Sequence, residues 1–393
     1  LNAAAGAAVP RHILPVIAVS QFAGTSLWFA VNAVLPDLQR GAALPESAVA
    51  WLTAAVQIGF IAGTLVFALL AVADRFSPRR VFLVCCLLGA LLAAATVWLP
   101  VELWLLVLLR LLTGVCLAGI YPVGMKIASG WYAQGLGLAL GVLVGALVLG
   151  TAMPFGLRAL GASWPWQTFM LVVAAVAAGG GLLMAWLVPD GPHLAPAARI
   201  SPRALAVIWT DRRVRASAFG YFGHMGELYA FFVLVPAIVA LRFSGAVAAW
   251  WVFAIIAVGL FSCIAGGLLA RRFGSAWVAG AQLACSGACA LAAPWMIEAP
   301  LAVWAAWMLL WGATVSGDSP QFSALTAGNA PRGTVGSVLT FVNFIGFSLS
   351  VLTIVLFVAL ASRWPLAQVL PWLAVGPVLG LAFLRPLLRA GAH

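Results

Sequence analysis

Residues 111–122 read Leu111-Leu112-Thr113-Gly114-Val115-Cys116-Leu117-Ala118-Gly119-Ile120-Tyr121-Pro122, and residues 309–320 read Leu309-Leu310-Trp311-Gly312-Ala313-Thr314-Val315-Ser316-Gly317-Asp318-Ser319-Pro320. Two leucines, a glycine, a second glycine and a proline recur at a constant offset of 198. In an apolar helix such glycines let a neighbour approach closely, and a proline loosens the backbone. Two further pairs agree. Ala73-Asp74-Arg75-Phe76 matches Ala270-Arg271-Arg272-Phe273 at an offset of 197, and Ser26-Leu27-Trp28 matches Glu227-Leu228-Tyr229 at 201. Three matches within four residues of one offset identify a duplicated unit that fills the chain.

The chain is 65% hydrophobic and 7% charged over 393 residues. Its mean hydropathy is +1.12. Soluble domains are only about 45–50% apolar, so an ordinary soluble fold is excluded. Runs of about 20 apolar residues recur, each long enough to cross a hydrocarbon core of roughly 30 Å. The net charge of +11 is spread over short loops without a basic cluster, which argues for membrane topology and against nucleic acid. All six cysteines lie in apolar runs, away from any metal-type pairing with histidine, and read as buried thiols. No stretch near residue 1 has the short apolar core and cleavage site of a secretory signal.

The spacing predicts twelve helical spans near 13–36, 48–70, 81–99, 103–128, 136–157, 166–188, 215–240, 246–269, 276–296, 300–325, 335–361 and 366–388. Backbone groups in lipid need internal partners, so these runs are helices. One set of alternate gaps holds Arg11, Arg75, Arg79, Arg80, Arg199, Arg203, Arg212, Arg213, Arg271, Arg272, Arg332 and Arg389. The other set holds one arginine per gap (Arg40, Arg158, Arg242, Arg363) with Asp37, Glu46, Glu102 and Glu298. The arginine-rich side is expected to be cytoplasmic, with both termini. The expected units are an N-terminal six-helix bundle (1–188), a cytoplasmic linker (189–214) and a C-terminal six-helix bundle (215–393). An even number of spans per repeat makes the two halves parallel copies about an axis along the membrane normal, a symmetry associated with rocking transporters.

On these residues the chain resembles the major facilitator superfamily over essentially its full length. The family's loop signature, Gly-x-Leu-Ala-Asp-Arg-x-Gly-Arg-Arg, survives as Ala73-Asp74-Arg75-Phe76-Ser77-Pro78-Arg79-Arg80, with Leu70 and Ser77 in the glycine places. The second copy, Gly267 to Gly274, keeps both glycines but has Arg271 in the acidic place. The resemblance implies an all-α membrane fold of twelve transmembrane helices in two pseudo-symmetric six-helix bundles. It also implies a gating latch at Asp74, Arg75, Arg79 and Arg80, with Arg271 and Arg272 in the second copy. A plain positive-inside loop explains the arginines but not Asp74. Arg110 followed by Gly114 resembles the family's fourth-span motif, tied to proton coupling or substrate binding. Span five, with Gly141, Gly145, Gly150 and Pro154, half matches the family's exporter motif. Ser26-Leu27-Trp28-Phe29 and Tyr121 to Lys126 resemble a bacterial branch grouped near nitrate, nitrite and cyanate carriers, whose glycine-rich signatures this chain lacks.

Arg110, His224, Glu227 and Asp318 stand inside apolar runs, where a charge costs roughly 2.5–3.5 kcal/mol on insertion scales, so each needs a partner or a wet path. A guanidinium stays charged, so Arg110 reads as an anion contact or as the tuner of a carboxylate, or else as a snorkelling side chain. His224 and Glu227 are three residues apart and share a helix face, which suits either proton exchange or a static pair. Asp318 and Gln321 lie one turn apart beside Pro320, at an expected bend. Lys126, the only lysine, lies near the inner end of span four and either snorkels or faces the path. Gln57, Asn32 and Asn343 supply neutral polar groups, and Trp28, Tyr121 and Tyr229 aromatic walls. These residues fall on spans one, two, four, seven, ten and eleven, which by resemblance line the central path.

The expected function is secondary active transport of a small solute, an organic or inorganic anion in view of Arg110 and Lys126, across a bacterial inner membrane, coupled to protons. The alternatives are a proton-antiport drug or metabolite exporter and a membrane sensor that does not translocate. No nucleotide-binding signature and no nucleophile–base or metal set is present, so an enzyme and a cofactor are not expected. The expected partners are the lipid bilayer, the solute and protons, and the expected state is a monomer.

Overall fold

The computed structural model describes residues 9–42, 44–132, 136–194, 203–331 and 334–390, and every element among them is helical. Among the described residues eleven helices are long and apolar enough to cross a membrane: Ile13–Ala42, Ala48–Leu69, Pro78–Trp98, Leu103–Trp131, Gly137–Leu160, Trp166–Leu187, Arg212–Ala240, Gly245–Phe273, Ser275–Met296, Val335–Ala361 and Leu366–Arg389. The tenth expected span is present but divided. Its Leu301–Gly317 and Ser319–Asn329 segments meet at Asp318, and neither alone reaches the length of the others. Numbered in chain order, these are spans one to twelve.

Spans one, four and ten break near small residues or proline, as do span eight at Val258, before Gly259, and span twelve at Leu370–Ala374, which contains Pro371. Span four leaves the helix at Gly119–Ile120, just before Tyr121 and Pro122. Span ten breaks one repeat later, just before Ser319 and Pro320. Proline at the start of a new helical segment needs no backbone donor, so each break is tolerated. Span one passes through a tight helical turn at Ser26–Trp28, and Phe29, at φ −113° and ψ 15°, takes the chain out of helical geometry. It then runs on to Ala42, past the expected end at 36, with Pro36 inside it.

The repeat is visible in packing. A Cβ on Gly114 would sit 2.1 Å from the Val56 carbonyl oxygen of span two, and one on Gly312 would sit 1.8 Å from the Ile255 carbonyl oxygen of span eight. Thus span four rests on span two as span ten rests on span eight, backbone against backbone. Gly119 packs on Cys85 of span three and Gly317 on Gln282 of span nine, again one repeat apart. The two bundles meet along span five, where Gly145 faces Leu260 and Gly156 faces Phe253 of span eight. They meet again where Phe60 of span two and Phe347 of span eleven lie 4.6 Å apart between ring centroids.

Outside this core, Trp98, Trp104, Trp186, Trp295 and Trp372 are exposed near span ends, as expected of indoles at a membrane–water interface. The expected linker 189–214 falls partly outside the described residues, at 195–202, as do Arg199 and Arg332. Its described part carries a short helix, Arg203–Thr210. Asp211 then accepts hydrogen bonds from the backbone N–H groups of Arg213 and Val214 and so caps span seven.

Candidate functional site

The break in span one frees carbonyl groups that a continuous helix would use. Arg110 of span four, 2% exposed, answers it. Its Nη1 donates to the Leu27 carbonyl at 2.8 Å and its Nη2 to the Trp28 carbonyl. Arg110 therefore neither snorkels nor faces a cavity here, and its fork fixes the turn that carries Trp28. Fully buried, Trp28 packs against Phe60 at 4.9 Å and stacks on Tyr229 at 5.8 Å and Phe347 at 6.1 Å. This aromatic layer joins both halves. One turn further along span one, Asn32 donates to Thr53 at 2.7 Å. Gln57, the Trp28 indole N–H and the Asn32 carbonyl oxygen are buried without a partner among the described residues.

In the C-terminal half Glu227 and Asp318 are held inside the bundle. Glu227, fully buried, accepts from Trp311 Nε1 at 2.7 Å and from Ser286 Oγ at 2.8 Å. His224 does not pair with Glu227. Three residues rise about 4.5 Å along a helix, so the two side chains meet span ten at different levels, Glu227 at Trp311 and His224 at Asp318. His224 Nδ1 lies instead 2.8 Å from Asp318 Oδ1, at ion-pair distance but without hydrogen-bond alignment, and both residues are fully buried. Tyr221, on span seven, and Phe322, on span ten, flank the imidazole at 5.8 and 6.1 Å. Gln321 and Gln282 both approach Gly266 of span eight beside this pair.

Three cavities lie along the interface between halves. A central one of about 30 Å³ is lined by Tyr121, Tyr221, Tyr229, Ser316, Ser319 and Asn343, among others. One of about 400 Å³ toward the arginine-poor end, which the expected topology makes the outer vestibule, is lined by Asn32, Gln39 and Glu46, and one of about 230 Å³ toward the arginine-rich end, the expected inner vestibule, by Asp74, Lys126, Thr340 and again Tyr121 and Asn343. Of the residues singled out in the sequence, Tyr121, Tyr229, Asn343, Asn32, Asp74 and Lys126 line these cavities. Arg110, His224, Glu227, Asp318, Gln321, Gln57 and Trp28 do not. Tyr221, Ser316, Ser319, Trp311 and Ser286 were not singled out for a site. Tyr221 had a signal, since the chain has only four tyrosines and three of them line the central cavity.

At the arginine-rich end Lys126 forms an ion pair with Asp74 and donates to the Ala73 carbonyl at 2.9 Å. The sole lysine thus fastens the loop after span two to span four, within one half. Arg79 reaches the Ala185 carbonyl at 3.4 Å, while Arg75, Arg80, Arg271 and Arg272 are exposed. Ser77 donates to Asp190 at 2.7 Å, tying the same loop to the end of span six.

A sequence model described as the Major Facilitator Superfamily matches residues 17–354. No curated protein matches the sequence. Among solved structures, the human organic anion transporter MFSD10 (TETRAN) is similar with a TM-score of 0.72 at 16% identity, over 95% of this chain and 99% of that one. A mutant of the nucleoside transporter NupG is similar with a TM-score of 0.71 at 13% identity, over 97% of this chain and 100% of that one. Identities this low carry the fold and nothing finer.

Proposed function

Because the chain belongs to the major facilitator superfamily, we propose that it is a secondary active transporter that moves a small solute by alternating access and couples the movement to protons. The observation that carries this reading is the aromatic layer of Trp28, Phe60, Tyr229 and Phe347, drawn from both halves, beside a closed central cavity with a larger vestibule toward each end. Rocking one half against the other parts this layer toward one vestibule at a time. In the proposed setting the protein sits as a monomer in a bacterial inner membrane, with both termini in the cytoplasm. Asp74 and Lys126 steady the inner mouth.

Glu227 supports the proton part. Ser286 Oγ lies 2.8 Å from Glu227 Oε2 and 3.1 Å from the Leu283 carbonyl. A hydroxyl both donates and accepts. With Glu227 charged, Ser286 donates to it. With Glu227 protonated, the acid donates to Ser286, whose own proton turns to Leu283. Either charge state is then satisfied without moving a helix. The buried His224–Asp318 pair is a second place where a proton can reside.

A second reading, exchange of an exported solute for protons, draws on span five, whose Gly145 and Gly156 let it slide closely along span eight. Uptake and efflux of a solute panel in liposomes, under an imposed pH gradient, tests both. Gradient-driven accumulation supports the proposal, and its sign separates symport from antiport. If Glu227→Gln and Asp318→Asn both kept full accumulation, the coupling assignment would be wrong.

A further inference from the structure

We propose that the cargo is a neutral, ring-bearing solute recognised through hydroxyl and amide groups, rather than an ion. This deepens the transporter reading and rests on it. The expected anion depended on Arg110 and Lys126. In the structure Arg110 holds the carbonyls of span one, and Lys126 holds Asp74.

No Arg, Lys, His, Asp or Glu lines the central cavity among the described residues. Its polar groups are the phenols of Tyr121, Tyr221 and Tyr229, the hydroxyls of Thr151, Ser316, Ser319 and Ser323, and the Asn343 amide. Next to it, Asp318 faces His224, and Glu227 accepts from Trp311 and Ser286. The outer vestibule adds a single charged group, Glu46, which would repel an anion on entry.

An ion brought into such a lining loses its water and meets no countercharge, which is unfavourable unless a partner is supplied. Phenols, hydroxyls and amides each donate and accept, so they match the carbonyl, amide and hydroxyl groups of an uncharged solute. Rings supply the remaining contact. Tyr229 and Phe347 belong both to the cavity wall and to the layer under Trp28, and Trp28 lies within 19° of parallel to Tyr229. Near-parallel plates accept another flat ring between them when the halves part. They do not form the box of ring faces that surrounds an organic cation. Beside this layer the Trp28 N–H and the Gln57 amide are buried without a partner among the described residues, as is Nε of Arg110, whose other two nitrogens are held by span-one carbonyls.

The test compares one ring in three charge states: nicotinamide, nicotinate and 1-methylnicotinamide. Binding to the purified full chain is measured by tryptophan fluorescence and by the shift in unfolding temperature. We expect nicotinamide to bind at least about 10-fold more tightly than either ion. Tyr121→Phe and Tyr221→Phe should each weaken it by about 3- to 10-fold, the range of one lost neutral hydrogen bond, with the unliganded unfolding temperature unchanged. Tighter binding of nicotinate or 1-methylnicotinamide, or no binding of nicotinamide, overturns the proposal. Gradient-driven accumulation of an ionic solute in liposomes would also overturn it while leaving the transporter reading intact. Absence of any solute exchange would sink the transporter reading itself.

Discussion

Trp311 donates its indole N–H to Glu227 across 2.7 Å, tying span ten to span seven inside the C-terminal bundle. The indole can only donate, so this oxygen of Glu227 accepts in either charge state. Glutamine preserves the size and the acceptor but cannot release a proton. Glu227→Gln should therefore keep the fold and keep solute counterflow, in which solute exchanges without a gradient. It should lose accumulation driven by a pH gradient. Parallel counterflow and gradient-driven assays in the same liposomes check this. Equal loss in both assays would make Glu227 a packing residue. Glu227→Ala should be worse, since Ser286 can turn to the Leu283 carbonyl but the buried Trp311 N–H is left unmatched, at about 1–3 kcal/mol.

Arg110 acts on the two carbonyls of the span-one turn, and only a planar fork reaches both. Arg110→Lys should therefore fail to rescue, and both Arg110→Lys and Arg110→Ala should lower stability by about 2–4 kcal/mol. Unfolding temperature and Trp28 accessibility, compared with a Trp28→Phe background, read this out. If lysine restored transport and stability, the charge rather than the fork would matter.

The Asp74–Lys126 pair is partly exposed, so its neutralisation should change stability by less than about 1 kcal/mol. Its effect should fall on conformation. Asp74→Asn or Lys126→Ala should raise the labelling rate of a cysteine placed at Thr340, which lines the inner vestibule with both residues. Exchanging the two charges should bring the rate back toward wild type. A labelling rate indifferent to all three changes would remove the gating role.

Much of the architecture is legible in the chain itself. The repeat of Gly114 and Pro122 at Gly312 and Pro320 foretells both the tight crossings and the breaks before each proline. The spans follow from apolar length alone. Partnerships were harder to read. Spacing along one helix puts His224 and Glu227 on a shared face, yet the two side chains meet span ten at different levels and so find different partners. Arg110 looked available for a ligand because a broken helix elsewhere in the chain, and its unsatisfied carbonyls, cannot be read from the apolar run around Arg110. Neutral groups such as Ser316, Ser319 and Ser286 carry no cost that makes them conspicuous in an apolar sequence, so they surface only once the helices are packed.

The glycine crossings give the most direct test of the repeat. A methyl on Gly114 or Gly312 meets a carbonyl oxygen of the neighbouring backbone at 2.1 or 1.8 Å, and a backbone cannot swing aside as a side chain does. Gly114→Ala and Gly312→Ala should each destabilise by about 1–3 kcal/mol, the usual cost of overpacking, and by similar amounts because the two sites are copies. Gly179 in span six has open space where its Cβ would lie, so Gly179→Ala should be neutral or stabilise by up to about 1 kcal/mol through helix propensity. Unfolding temperatures of the three variants in one detergent decide the matter. A tolerant Gly114 beside an intolerant Gly312 would mean that the halves pack by different rules, and the symmetric rocking assumed for transport would lose its mechanical basis.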